Sequence, residues 1–202
     1  MRPSGPKNLH GSAPDTCSVA LLLIDWINDL EFGSGARLLE RALPAARATA
    51  ALRIEAKQAG VPVIYCNDNF GKWRSDFRGI LEHCLHDGVR GQPMAELLKP
   101  DEDDYFVLKP KHSAFHSTTL DVLLEHLGVR SLVMTGIAGD ICVLFTAHDA
   151  HMRDYEVIVP QDCIAAETEA DERSALHNMA KTCRADTGRS SAIDFARLLK
   201  AA

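Results

Sequence analysis

Leu132-Val133-Met134-Thr135-Gly136-Ile137-Ala138-Gly139-Asp140-Ile141-Cys142-Val143 decides how the rest of the chain is read. Leu132, Val133 and Met134 are a short apolar run and predict a buried strand. Gly136 and Gly139 then give a tight, permissive backbone. From Cys142 to about His151 the residues suit a helix. A thiol at such a strand–turn–helix junction lies near free N–H groups and the positive end of a helix dipole, which favour the thiolate. The thiolate is the nucleophilic form. A cysteine is more often a small buried apolar residue, so the choice rests on two other places in the chain.

The first is Ser18 to Ile24, a near-continuous apolar run that ends at Asp25. Such runs are typical of strands buried on both faces of a parallel sheet. A carboxylate at the C-terminal end of such a strand stands where open α/β sheets keep their ligand groups. Asp29, four residues on, is a rival for that role. The second place is Tyr105 to Leu108, a strand ending in Lys109-Pro110-Lys111.

Between and beyond these segments, strands alternate with helices. A helix is predicted from about Pro44 to Ala59, with proline in its first turn and Gly60 past its end. Phe32 to Gly35 read as a loop. Val61 to Cys66 is a strand, followed by the loop Asn67-Asp68-Asn69-Phe70-Gly71. Helices are expected at Phe77 to His86, briefly at Pro93 to Leu98, and at Thr118 to Leu127, where Leu120, Leu123, Leu124 and Leu127 fall at i, i+3, i+4 and i+7. Ser131 to Thr135 and Glu156 to Val159 are strands, Gln161 to Glu167 a loop, and Thr168 to Lys181 a helix. A weak sixth strand near Ala185 and a short helix at Phe195 to Leu199 complete the pattern. Asp101 to Asp104 read as a solvated acidic loop. The alternation predicts an α/β fold: a three-layer αβα arrangement with a six-stranded, mostly parallel sheet and helices on both faces.

The totals narrow the function. The chain has 202 residues, which suits one domain. Residues 1–16 hold three prolines and two glycines and read as an arm, leaving 17–202 as the domain. Net charge is −6 with no basic block, which argues against nucleic acid as a partner. Six cysteines without regular spacing read as reduced thiols. No apolar run has the length of a membrane span, and no apolar segment follows Arg2 and Lys7 as a secretory signal requires. A cytoplasmic protein acting on a small molecule is expected.

Asp25, Lys109 and Cys142 each follow or end a separate strand at the same end of one sheet. An ammonium lowers a thiol pKa by charge. A carboxylate can take the thiol proton and later deliver it to a leaving amine. Backbone N–H groups of the turn before Cys142 can hold the oxyanion of a tetrahedral intermediate.

With these residues in place the sequence resembles the isochorismatase-like cysteine hydrolases, which include nicotinamidases, N-carbamoylsarcosine amidase and ureidoacrylate amidohydrolases. The segments that carry the likeness are strand-Asp25, Val107-Leu108-Lys109-Pro110-Lys111-His112-Ser113-Ala114-Phe115, the stretch from Thr135 to Val143, and Thr146-Ala147-His148-Asp149-Ala150. The likeness covers roughly Val19 to Ala180. It implies Asp25 as base, Lys109 as charge partner and Cys142 as nucleophile, with Lys111 outside the triad. It also implies a non-proline cis peptide at Ile137–Ala138, an oxyanion hole from the N–H groups of Ala138 and Cys142, and association into homodimers or homotetramers.

The departures from the family pattern are informative. Gly139 stands where threonine is more usual, which predicts a looser turn. Trp26 and Ile27 replace the residues many members carry after the aspartate, which predicts a different pocket floor. Nicotinamidases carry a metal-binding Asp-x-His after the second strand, whereas this chain has Asn67-Asp68-Asn69 there. Without imidazole ligands no transition-metal site and no cofactor are expected. The pairs His83/His86, His112/His116 and His148/His151 have helical spacing but no further ligand nearby, so they read as surface or core histidines. Cys163 reads as a packed thiol. The substrate pocket is expected from Phe32, Asn69, Trp73, Phe115 and Ile137, with Phe70 as a further aromatic wall.

The expected activity is metal-independent cleavage of a C–N bond in a small amide, ureide or carbamoyl compound through a Cys142 thioester. An isochorismatase-type vinyl-ether hydrolase and a catalytically silent thiol sensor or binding protein are the alternatives.

Overall fold

A computed structural model describes residues 16–71 and 76–201. The expected N-terminal arm, Thr16 excepted, and Trp73 lie outside the described residues. Six strands form one parallel sheet: β1 (Val19–Ile24), β2 (Val63–Asp68), β3 (Tyr105–Lys109), β4 (Ser131–Ile137), β5 (Glu156–Ile158) and β6 (Ile164–Ala165). The order is β3-β2-β1-β4-β5, with β6 pairing the end of β4. Helices α1 (Gly35–Gln58), α2 (Phe77–His86), α3 (Gln92–Leu97), α4 (Leu120–Leu127), α5 (Leu144–His151), α6 (Glu169–Thr182) and α7 (Phe195–Ala201) cover the sheet.

Side-chain alternation along β1 divides the core in two. Val19, Leu21 and Leu23 pack under α1, α2, α3 and α7, while Ala20, Leu22 and Ile24 face α4, α5 and α6. All six residues of β1 are fully buried, which explains why the strand reads as a continuous apolar run.

The strand order reverses between β1 and β4. From β1 the sheet grows through β2 to β3 on one side and through β4 to β5 on the other. Such a switch point opens a crevice at the C-terminal ends of the strands, and ligands bind there. Asp25 leaves β1 and Cys142 follows β4, so the two residues flank it. Gly136 keeps the two strands close. It has φ 151°, and a Cβ there would lie 2.4 Å from the Ile24 carbonyl oxygen. Gly136→Ala is therefore expected to destabilise the fold by about 3 kcal/mol or more, read from the midpoint of urea unfolding.

Several elements differ from their sequence-based outlines. Helix α1 begins at Gly35 rather than near Pro44, and Pro44 lies inside it. Leu38, Ala42, Ala45, Ala46, Thr49, Leu52 and Ala56 form one buried face that runs through the proline. This packing outweighs the single N–H that proline lacks. The segment near Ala185 is not a strand; Asp186 makes one parallel bridge to Ile158 at the edge of β5. The sixth strand is instead Ile164–Ala165, within the expected loop, and is too short to show any periodicity. The acidic run is not freely solvated. Lys57 Nζ reaches carboxylates of Asp101, Asp103 and Asp104 at 2.6, 2.8 and 2.8 Å, and Arg53 pairs with Asp101 and Asp104, both at 2.7 Å. These acids are the single metal-type cluster among the described residues, and α1 already supplies their cations.

Candidate active site

Asp25 follows β1 in the left-handed region, with φ 53°, a conformation that aspartate tolerates better than most residues. Its N–H donates to Cys66 O at 3.0 Å, which continues the ladder for one residue. Both carboxylate oxygens are engaged: Oδ1 accepts the Asp68 N–H at 2.6 Å, and Oδ2 faces Lys109 Nζ at 2.7 Å. Lys109 is the last residue of β3, and its side chain is fully buried. The ammonium also donates to Cys142 Sγ at 3.4 Å and to the Lys111 carbonyl at 3.3 Å. Asp68 Oδ2 lies 3.7 Å from it. The ammonium lies between the Cys142 thiol and the Asp25 carboxylate and contacts both. One carboxylate, one ammonium and one thiol thus form a closed set, contributed by three different strands.

The turn that presents the thiol is wider than expected. Gly139–Val143 is a π-helical turn, and α5 starts only at Leu144. The Ala138 carbonyl accepts from the N–H groups of Ile141 and Val143, at 3.1 and 3.2 Å. Such turns recur at functional sites. The Ile137–Ala138 peptide is cis. A Cβ at Gly139 would meet Ile164 Cδ1 at 3.0 Å. The bare backbone lets β6 pack against the elbow.

Burial sets the proton distribution. Desolvation raises the Asp25 pKa above the usual carboxylate range, although Lys109, the thiol and the Asp68 N–H all pull it down. Desolvation also pushes the Cys142 thiol up, the Asp25 charge adds to this, and Lys109 opposes both. For Lys109 desolvation acts downward, but attraction to Asp25, Cys142 and Asp68 leaves it raised overall. For Cys142 the net direction is upward: burial and the Asp25 charge outweigh the Lys109 ammonium.

A cavity of about 290 Å³ opens beside this set. Phe32 and Ile137 line it as expected, together with Phe70, Asp25, Ala138 and Cys142. Asn69 and Phe115 do not. Asn69 Oδ1 accepts the Gly71 N–H at 2.9 Å and shapes its own loop. Phe115 is buried in the second core, between the Tyr155 ring and the Arg153 guanidinium, 4.7 Å from its centroid. Trp26 and Ile27 are fully buried and absent from the lining; the Trp26 indole N–H donates to Thr135 Oγ1 at 3.0 Å. The rival Asp29 faces His83 at 3.3 Å instead. Cys163 is buried in the first core.

Cavity residues that the sequence reading did not single out include Asp68, His112 and Glu167. Asp68 ends β2 and follows the same strand-end rule that picked out Asp25. His112 Nδ1 lies 4.0 Å from Cys142 Sγ, and its position three residues past Lys109 was the available signal. Glu167 closes the expected loop Gln161 to Glu167, whose place after a strand marks it as a pocket loop but does not single out this residue.

A family model described as isochorismatase domain matches residues 19–189. The chain belongs to the isochorismatase family. This isochorismatase-family hydrolase is 42% identical over 160 residues to the family protein YaaI of Bacillus subtilis, across 79% of this chain and 87% of YaaI. Ureidoacrylate amidohydrolase RutB of Methylorubrum extorquens is 35% identical over 99 residues, 48% of this chain and 40% of RutB. Among solved structures, N-carbamoylsarcosine amidase from Thermoplasma acidophilum superposes with a TM-score of 0.69 at 26% identity, across 88% of this chain and 99% of that one. A cysteine hydrolase from Pseudomonas syringae pv. phaseolicola shares the fold with a TM-score of 0.72 at 24% identity, across 92% of this chain and 94% of that one. RutB is thus named an amidohydrolase and the Thermoplasma protein an amidase.

Proposed function

We propose that the protein is a metal-independent cysteine amidohydrolase for a small amide, ureide or carbamoyl compound. The observation that carries this reading is Lys109 Nζ, placed 2.7 Å from the Asp25 carboxylate and 3.4 Å from Cys142 Sγ. Asp25 takes the thiol proton as Sγ attacks the substrate carbonyl. Lys109 holds Asp25 in position and offsets the charge that appears on sulfur. The N–H groups of Ala138 and Cys142 receive the oxyanion. The tetrahedral intermediate collapses, the C–N bond breaks, and Asp25 returns the proton to the departing amine. Water then attacks the thioester with Asp25 as base, releasing the acid and restoring the thiol.

The test is ammonia release over a panel of small primary amides, ureides and carbamoyl amino acids, with intact-mass spectra of the enzyme during turnover. A hydrolysed compound accompanied by an acyl adduct is the expected result. Turnover of a vinyl ether without an adduct would instead favour protonation by Asp25, and silence toward every substrate would leave a thiol sensor.

The pH profile follows from the directions above. Asp25 must be ionised to accept the proton, and its pKa is raised. Turnover therefore falls as pH drops through a value above the ordinary carboxylate range, and rises to a plateau above it. Plotting log kcat/KM against pH checks this; an acid limb at or below about pH 4 contradicts it.

The reading extends to a homodimer or homotetramer in a reducing cytoplasm. Val122 and Met152 are 69% and 71% exposed, large apolar areas that a second copy would cover, and all six cysteines are free. Light scattering tests the assembly.

A further inference from the structure

The proposed mechanism leaves one wall of the cavity without a role. Glu167, just past β6, lines it and is half-buried. Ser34 Oγ donates to Glu167 Oε1 at 2.5 Å. The preceding residue is fastened too: the Ala166 carbonyl accepts Arg41 Nε at 3.0 Å, and Arg41 pairs with Glu172 at 2.9 Å. Arg41 is thus engaged with Ala166 and Glu172. Among the described residues no lysine or arginine pairs with Glu167. The carboxylate is held by Ser34 and, among the described residues, has no cationic partner.

Among the described lining residues the fixed charges have the same sign. Asp68 is a second carboxylate in the lining, and among the described lining residues there is no lysine or arginine. The Lys109 ammonium beneath is fully enclosed and already engaged by Asp25 and Asp68. A substrate carboxylate entering this cavity would lose water without gaining a partner and would face like charges. An ammonium or amidinium would gain a carboxylate, together with the ring faces of Phe32 and Phe70.

We infer that Glu167 is a specificity residue that selects amides carrying a cationic group at the end remote from the scissile carbonyl and turns away those carrying a carboxylate. The inference rests on the amidohydrolase reading for the word amide, but the selection by charge can be measured without turnover. Cys142 is the one cysteine that is not buried, so it can report the potential in the cavity.

Methanethiosulfonate reagents with an ethylammonium or an ethylsulfonate tail are reacted with the protein, and each rate is divided by the rate with a small free thiol. Cys142→Ala measures any contribution from the other cysteines, which is subtracted. The normalised rates are expected to favour the ammonium reagent by about tenfold, and Glu167→Gln, which keeps the acceptor for Ser34, to cut that preference about threefold. A sulfonate rate equal or superior to the ammonium rate overturns the inference; an ammonium preference untouched by Glu167→Gln removes Glu167 from it. The parallel assay compares 4-aminobutanamide, butanamide and succinamate. The cationic amide is expected to have the highest kcat/KM, through KM, and Glu167→Gln to lower its advantage over butanamide about tenfold. Preference for succinamate overturns the inference. Loss of all amide hydrolysis counts against the amidohydrolase reading alone, and the thiol labelling then decides the selection by charge.

Discussion

Cys142→Ala is expected to lower kcat by at least about 10⁴-fold on any amide the enzyme turns over, because removal of the nucleophile from a coupled catalytic set abolishes nearly all of its effect. Cys142→Ser should fare little better. The serine hydroxyl is a weaker acid than a thiol, and Asp25, even with a raised pKa, is too weak a base to ionise it before attack. Both variants should fold. The thiol is half-buried and sits at the mouth of a cavity, so its removal opens little new empty space in the core. The measurement is kcat for wild type and the two variants, with far-UV circular dichroism and a urea transition for each. A Cys142→Ala protein with full turnover would sink the thioester mechanism. A variant that is inactive because it is unfolded would show in the dichroism and would not support the mechanism.

This result bears on how the thiol is activated. A helix end and a lysine both suggest a standing thiolate when only the sequence is in view. The structure adds burial, and burial wins: desolvation is the largest influence on Cys142, and the Asp25 charge works in the same direction. In the proposed mechanism the proton therefore moves during attack. Asp25 is suited to this, because its own raised pKa narrows the gap to the thiol. A residue that looks like an aid to the carboxylate is thus part of one three-group system, whose protonation states are set jointly.

How much of this was legible in the sequence depends on the range of the interaction. The five longer strands and most helices show in local periodicity, because a fully buried strand must be apolar throughout, as β1 is. Asp25, Lys109 and Cys142 are legible because strand ends converge at one edge of a parallel sheet. Strand β6 has two residues and offers no period. Pro44 looks like a helix start because local sequence cannot show the buried face that carries α1 past it. Phe115 looks like a pocket wall because it follows the Lys109 segment, yet its ring is captured by Arg153 and Tyr155 from a distant part of the chain. Glu167 follows the two-residue β6 and is held by Ser34, a contact across 133 residues. Burial, which pushes the Cys142 thiol up, is a property of the assembled core alone.

Lys109→Met is expected to cost about 3–5 kcal/mol of stability at neutral or higher pH, because it strands a buried carboxylate beside an apolar chain. Asp25 is nearly fully buried, and Lys109 Nζ is its salt-bridge partner at 2.7 Å. The sign of the pH dependence follows. Asp25 already has a raised pKa in the folded protein, and losing the ammonium raises it further. A folded pKa above the unfolded one favours the fold at low pH, where the group is protonated in both states, and weakens it as pH rises through the folded value. The deficit of Lys109→Met should therefore shrink as the solution is acidified below that value. Adding Asp25→Asn removes the stranded charge, and the double variant should regain most of the lost stability. Urea unfolding of the two single variants and the double variant, at pH 5 and pH 8, measures the coupling. A Lys109→Met deficit that is equal at both pH values, or that persists undiminished in the double variant, would show that Lys109 stabilises the fold by packing of its chain and not as the counter-charge of Asp25.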